Sequence, residues 1–316
     1  MRSPVLVLAY YLHDLSPFIV RFSENFGLRW YGLAYVLAFL IGFLILREFA
    51  RRGMSELRPE QVGDFITWVA LVGVMLGGRL GYMLLYDREA FFANPLRFFD
   101  LLGGGMASHG GILGVTLFAL YYARRHRLSW LGLGDDLVVV VPIGLLLGRI
   151  ANFINGELYG HITTGIPWAV QFPTELRDAG YQLASRVQQA LPSLTPFPEA
   201  VIEAGRTDPV IQQSLRQLLP LRHPSQLYEA LLEGAVLFAI LLAVRLRWKE
   251  LRHGVLTGLF FILYALLRIL SETWRVPDHA LILGLNPGQF YSLFMIAIGA
   301  AFLLASRRGA RPAPRV

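Results

Sequence analysis

The sequence predicts an all-α polytopic membrane protein of about seven transmembrane helices, with an outer-face (periplasmic) insertion between helices four and five. Three observations carry this. Of 316 residues 55% are hydrophobic and only 16% charged, with a mean hydropathy of +0.49, too apolar for a domain wrapped in a charged shell. Apolar runs approach the roughly 20 residues that a helix needs to cross a bilayer with its backbone groups paired internally. Short arginine-rich connections alternate with connections poorer in basic residues, as they do when basic loops stay in the cytoplasm.

The apolar runs fall at about 30–46, 65–85, 107–123, 136–154, 225–244, 255–273 and 288–305. Asp14, Arg21 and Glu24 interrupt the chain before the first run and no small-residue cleavage site follows it, so it reads as a permanent span. Arg47, Arg51, Arg52 and Arg58 follow run one, Arg124, Arg125 and Arg127 run three, and Arg245, Arg247, Lys249 and Arg252 run five. With Arg307, Arg308, Arg311 and Arg315 in the tail, these place the C-terminus in the cytoplasm and, for an odd number of spans, the N-terminus outside. The expected organisation is a membrane domain over 1–155 with a short outer-face arm near 87–106, then a head or lid over 156–223. A second membrane segment over 224–306 follows, with an arm near 276–287, and a basic cytoplasmic tail over 307–316. The proline, glutamine and serine content of the 156–223 insertion suggests partial order only.

The net charge of +7 and pI near 9.9 fit cytoplasmic loops beside anionic lipid, and no basic-aromatic nucleic-acid module is visible. The chain has no cysteine, which excludes disulfides, thiolate metal sites and an acyl-cysteine on the protein itself. Any thiol in its chemistry belongs to a substrate.

Polar groups crowd the end of run four, in Gly148-Arg149-Ile150-Ala151-Asn152-Phe153-Ile154-Asn155-Gly156-Glu157-Leu158-Tyr159-Gly160. An arginine costs about 2.5 kcal/mol or more at the bilayer centre, so Arg149 calls for a partner or an anionic ligand. Either it snorkels to headgroups while Asn152 and Asn155 cap the helix, or the segment is a site; the density of polar groups favours a site. Tyr264, Arg268, Glu272 and Arg275, spaced four, four and three apart, fall on one stripe of run six. They form either a structural ion pair or a set in which Glu272 turns Arg268 towards an anion. In Ser108-His109-Gly110-Gly111 at the start of run three, His109 is either a proton acceptor or a hydrogen-bonded structural histidine, with glycines that let a ligand approach. In Arg222-His223-Pro224-Ser225-Gln226-Leu227-Tyr228-Glu229, Ser225 fits an N-cap and Tyr228 and Glu229 lie in the first turn. The glycines of Gly73 to Gly81 suit close helix packing, leaving Arg79 to be explained, and Trp30-Tyr31 is either an interfacial anchor or a source of a binding hydroxyl.

Taken together, these segments resemble the bacterial prolipoprotein diacylglyceryl transferase family. The match runs through Arg29-Trp30-Tyr31-Gly32, Gly77-Gly78-Arg79-Leu80-Gly81-Tyr82, His109-Gly110-Gly111, the long Gly148 to Gly160 segment, His223 to Glu229, and Arg268 through Glu272 to Arg275, Pro277 and Asp278. The resemblance implies a seven-span inner-membrane enzyme that takes phosphatidylglycerol and the lipobox cysteine of a prolipoprotein signal peptide, forms a thioether and releases glycerol phosphate at the outer face. It implies no metal or organic cofactor. The family's essential tyrosine falls on Tyr31, its histidine on His109, its signature arginine and asparagine on Arg149 and Asn152, and its late arginine on Arg268. Candidate catalytic residues are therefore His109, Arg149, Arg268 and Tyr31. Candidate substrate-binding residues are Arg149, Asn152, Asn155, Glu157, Gly160, Arg79, Tyr264, Glu272, His223 and Tyr228. On the residues alone, a transporter or a membrane scaffold remains the rival, although transporters more often show repeated halves or broken mid-span helices.

Overall fold

A computed structural model describes residues 10–23, 26–99, 104–178, 180–248, 250–277 and 280–307. Glu24, Lys249, Asp278 and the tail arginines from Arg308 onward lie outside the described residues. The chain is predominantly helical. Short strands β1 (Tyr11–Leu12), β2 (Phe18–Arg21) and β3 (Gly27–Arg29) precede α1 (Trp30–Arg51). A continuous helical stretch follows, made of α2 (Gln61–Trp68), a π-helical segment over Val69–Leu76, and α3 (Gly77–Leu85). Then come α4 (Arg88–Ala93), α5 (Ser108–His126), α6 (Trp130–Asn155), strand β4 (Val170–Gln171), α7 (Tyr181–Ala190), α8 (Glu199–Thr207) and α9 (Pro209–Leu218). A second interrupted helix joins α10 (Ser225–Glu229), a π-helical segment over Ala230–Val236 and α11 (Leu237–Arg247); α12 (Val255–Ser271) and α13 (Pro287–Ser306) complete the chain.

Among the described residues, five stretches are long and apolar enough to cross a membrane: Trp30–Arg51, Gln61–Leu85, Trp130–Asn155, Ser225–Arg247 and Pro287–Ser306. The chain is a polytopic membrane protein. Val255–Ser271 is apolar but only 17 residues long. The 19-residue α5 carries Arg124, Arg125 and His126 in its last turn.

The chain forms two compact units whose boundaries fall inside long helices. One comprises Met1–Leu37, Pro142–Leu237 and Leu263–Ile296; the other comprises Ala38–Val141, Phe238–Ile262 and Ala297–Val316. In the first, the polar insertion is more ordered than its composition suggests. Leu12, Leu176, Val187, Val201, Leu215 and Leu219 form a small buried core, joined by apolar faces of α7, α8 and α9. Asp208 caps α9, accepting from the backbone N–H of Val210 and Ile211, with Pro209 preset for the first turn. Composition misses this core because Leu12 arrives from far away in sequence, carried by the parallel pairing of β1 with β4.

In the second unit, α3 and the π-helical segment before it lie against α5, backbone to backbone. A Cβ on Gly81 would come within 2.5 Å of the Gly110 Cα, and one on Gly77 within 2.7 Å of the Gly110 carbonyl oxygen. Small residues on both helices make this approach possible. The glycine that follows His109 is thus occupied by helix packing, a correction to its reading as room for a ligand. Two adjacent carboxylates in the first turns of α6 hold this unit's loops. Asp135 accepts from the Gly254 and Thr257 N–H groups, both at 2.7 Å, supplying α12 with its N-terminal acceptor from another helix. Asp136 accepts from Ser55 Oγ, Glu56 N–H and Arg245 at 2.7–2.9 Å.

Candidate active site

The end of α6 is built by a glycine. Gly156, at φ +69°, stops the helix in the left-handed region; its N–H bonds Phe153 O at 2.9 Å and the Glu157 N–H reaches back to Asn152 O at 3.2 Å. This paired closure satisfies carbonyls at the helix end. It also returns Glu157 beside Asn152: Asn152 Nδ2 donates to Glu157 Oε1 at 2.8 Å, and Tyr31 at the start of α1 donates its hydroxyl to the same oxygen at 2.5 Å. Asn152 Nδ2 further donates to the Tyr31 oxygen. Asn152 and Tyr31 therefore converge on one carboxylate; neither acts simply as a cap or an interfacial anchor.

One turn earlier, Arg149 enters an ionic cluster. Its Nε lies 2.8 Å from Glu229 Oε2 and its terminal nitrogen 3.7 Å from Glu233. Arg268 from α12 bonds Glu229 at 3.0 Å and Glu233 at 3.1 Å, and pairs with Glu272. Arg275 reaches Glu229 at 3.2 Å, and Ser271 Oγ donates to Glu233 at 2.6 Å. The three carboxylates are almost fully enclosed, with side-chain exposures of 1%, 0% and 4% for Glu229, Glu233 and Glu272, against 17% for Arg149 and 13% for Arg268. Three guanidinium groups thus face three carboxylates, and Tyr264 lies among the same charges. Such enclosed charges are stable only when paired and hydrogen-bonded.

The stripe predicted for Tyr264, Arg268, Glu272 and Arg275 ends early: α12 stops at Ser271, so Glu272 and Arg275 sit in and after the turn that follows. Arg275 still joins the cluster because its backbone bridges Gly160 and that pairing fixes its approach. Ser225 is not the N-cap expected of it. Pro224 occupies that position and the Ser225 hydroxyl donates to Leu158 O at 2.9 Å, while Gln226 Nε2 donates to Glu157 O at 2.6 Å. Both bonds hold the 156–160 loop. Asn155 Oδ1 and Gln226 Oε1 are buried and unpartnered among the described residues.

The residues from 17 to 305 match the family model of prolipoprotein diacylglyceryl transferase. The chain belongs to the prolipoprotein diacylglyceryl transferase family. It is similar to a phosphatidylglycerol–prolipoprotein diacylglyceryl transferase of Bdellovibrio bacteriovorus, 35% identical with 95% of each chain covered. Enzymes of the same name from Bradyrhizobium diazoefficiens and Proteus mirabilis are 39% and 38% identical, covering 90% and 92% of this chain and 90% and 91% of theirs.

Within this family member, Tyr31, Arg149, Asn152, Glu157, Tyr264, Arg268 and Glu272 lie in one unit, and Arg149, 3.5 Å from Asn152 Oδ1, joins the Tyr31, Asn152 and Glu157 trio to the charged cluster. Gly160 is packed rather than open: a Cβ there would strike the Trp274 carbonyl oxygen and lie 2.7 Å from that of His223. His223 and Tyr228 meet at 3.2 Å, and Trp168 Nε1 donates to the Tyr228 hydroxyl at 2.7 Å. Burial and the neighbouring His161 hold the His223 pKa below its ordinary value. Arg79 and His109 belong to the other unit. Arg79 is buried and donates to the carbonyls of Arg97, Phe98, Gly104 and Gly105, fastening the segment after α4 to α3. His109 is exposed in the first turn of α5. Sequence reasoning missed Glu233, and it read Glu229 only as a first-turn carboxylate. Their four-residue spacing within an apolar run was the available signal.

Proposed function

We propose that this protein transfers the sn-1,2-diacylglyceryl group of phosphatidylglycerol to the lipobox cysteine thiol of prolipoproteins. The reaction forms a thioether, releases glycerol phosphate, and is the first step of bacterial lipoprotein maturation. Family membership over nearly the whole chain supports the reaction. The observation that carries the site is the three-arginine, three-carboxylate cluster beside Tyr31, Asn152 and Glu157.

In this reading the thiol sulfur attacks the glyceryl carbon bonded to the phosphate oxygen; the carbon–sulfur bond forms as the carbon–oxygen bond breaks, and the phosphate leaves with the electron pair. Arg149 and Arg268 donate hydrogen bonds to the phosphate and stabilise the charge that develops on it, where low polarity strengthens the effect. A thiol of pKa about 8.5 is mostly protonated at neutral pH, so its proton needs an acceptor, and His109 is the base. Tyr31, Asn152 and Glu157 orient the headgroup, with Asn155, Gly160, Tyr264, Glu272, His223, Tyr228 and Arg79 shaping or bracing the site.

The apolar helices, with α5 and α12, make seven spans in the bacterial inner membrane. The N-terminus lies outside, the insertion over 156–223 forms an outer-face head, and the segments near 87–106 and 276–287 form interfacial arms. The membrane domains are 1–155 and 224–306, and the basic tail over 307–316 is cytoplasmic.

The test is reconstitution of the purified protein with phosphatidylglycerol and a lipobox peptide, following thioether product and glycerol phosphate. Turnover must vanish with a Cys→Ser peptide and fall steeply in folded Arg149→Ala and Arg268→Ala enzymes. A well-folded preparation without turnover overturns the proposal, and full activity in His109→Ala removes the base role.

A further inference from the structure

The N-terminal strand carries a histidine that the reaction as proposed does not use. His13 is 3% exposed. Its backbone N–H bonds Gln171 O at 2.9 Å, extending the pairing of β1 with β4, and the adjacent Leu12 is embedded in the insertion's core. From this anchored position the imidazole is directed at the end of α6. Nε2 lies 2.7 Å from Phe153 O, the carbonyl that already accepts from Gly156 in the helix-closing turn. A carbonyl can only accept, so Nε2 carries the proton. Burial lowers the His13 pKa to about 4, so the ring is neutral at physiological pH. The ring packs edge-on to Phe153 and at a tilt against Phe172, with centroids 5.5 and 5.4 Å away. A Cβ on Gly156 would lie 3.2 Å from the ring's Cε1 and Nδ1, and Thr174 Oγ1 donates to Gly156 O.

We infer that His13 is a positioning residue of the transfer reaction: its imidazole fixes the turn that places the Glu157 carboxylate against Tyr31 and Asn152. The inference rests on the proposed role of that trio. A helix end closed by two hydrogen bonds can fray, because terminal turns have few partners. His13 adds a third bond at the central carbonyl and a ring against the glycine, so the residue after the glycine has one direction available. The segment before α1, remote in sequence from α6, thereby sets the geometry of the site without touching substrate.

The test compares His13→Gln, which retains an N–H donor of similar reach, with His13→Met, of similar length and no donor, and with His13→Phe, which retains the ring. Each is purified, checked by thermal unfolding, and assayed with phosphatidylglycerol and a lipobox peptide beside Glu157→Gln. A displaced catalytic geometry costs rate rather than affinity, so kcat of the Met and Phe variants is expected to fall about ten-fold or more with KM within about three-fold. The Gln variant should keep at least about a third of wild-type kcat. If His13→Phe does not fold, the Gln and Met pair decides alone. Equal kcat in Gln and Met variants overturns the inference, as does a loss that appears only in KM. If Glu157→Gln is fully active, the role of the trio fails and the inference fails with it. If Glu157→Gln is impaired while His13→Met matches wild type, the role of His13 alone is lost.

Discussion

Glu229 is the residue on which the charged cluster turns. Its carboxylate is 1% exposed and takes Arg149 at 2.8 Å, Arg268 at 3.0 Å and Arg275 at 3.2 Å. Glu229→Gln keeps the shape and one acceptor oxygen but removes one of the three carboxylates set against the three guanidinium groups. Removing one partner from a buried ion pair costs about 3–5 kcal/mol, because the remaining charge keeps its desolvation penalty and loses its compensation. At the low end of the roughly 2–4 °C per kcal/mol found for sizeable domains, that lowers the unfolding temperature by about 6–10 °C. Transfer activity should fall as well, since Arg149 and Arg268 lose the group that fixes their forks. The decisive comparison is the double variant Glu229→Gln with Arg275→Gln, which restores the balance of charge at two against two. If imbalance is the cause, the double variant is more stable than Glu229→Gln alone, and the cycle yields a coupling energy of at least about 1 kcal/mol. Thermal unfolding in detergent, read by intrinsic fluorescence, measures both. An unchanged unfolding temperature in Glu229→Gln, or strict additivity in the cycle, refutes the reasoning.

Other perturbations test separate parts of the molecule. Tyr31→Phe removes a hydroxyl that bonds both Glu157 and Asn152; activity should drop about ten-fold or more in the transfer assay while the unfolding temperature moves little. Gly160→Ala forces a methyl group onto the carbonyls of Trp274 and His223, neither of which can rotate away; a loss of about 1–3 kcal/mol in thermal stability, with loss of activity, is expected. His253 lies 3.0 Å from Glu56, whose hydrogen bond raises the imidazole pKa above its ordinary 6.5. Because the folded value is the higher one, the pair's contribution is complete below about pH 6.5 and is lost as pH rises through the folded value. The unfolding temperature of wild type should therefore decline across that window, and that of His253→Gln should stay flat; parallel curves contradict the linkage.

Much of the fold was legible because apolar run length is a coarse signal that local detail hardly disturbs. All seven predicted runs are helical, although α1 continues beyond its apolar part to Arg51, where its arginines remain in helix. The insertion over 156–223 was less legible. Its helices are short, and their core closes only when Leu12 is delivered from the other end of the chain, a contact that no local pattern encodes. At the site, Arg149, Asn152 and Glu157 stood out because polar groups in an apolar helix call for a reason. Ser225 was misread because a serine before a helical run suits a cap, yet the proline before it takes that position. Glu229 was passed over for a related reason: near a helix N-terminus a carboxylate has a ready explanation in the dipole, which conceals a longer-range partner. Glu233, deeper in the same run, has no such explanation.

The pairing of Arg149, Arg268 and Arg275 with carboxylates bears on how a phosphate would be held. Three guanidinium groups without counter-charges would bind a phosphodiester tightly, but they would bind glycerol phosphate, a monoester of equal or greater charge, at least as tightly. Product would then block turnover. Glu229, Glu233 and Glu272 lower the net field to near zero while holding the guanidinium forks in fixed directions. On the proposed reading, what remains for the phosphate is directional hydrogen bonding from preset donors, which strengthens as charge develops on the departing oxygen and weakens once the product is free to leave. Inhibition by added glycerol phosphate is then expected to be weak in wild type and at least about ten-fold stronger in Glu233→Gln, where one counter-charge is gone. Steady-state kinetics with glycerol phosphate as the varied inhibitor measures this, and an unchanged inhibition constant in that variant would contradict a role for the carboxylates in product release.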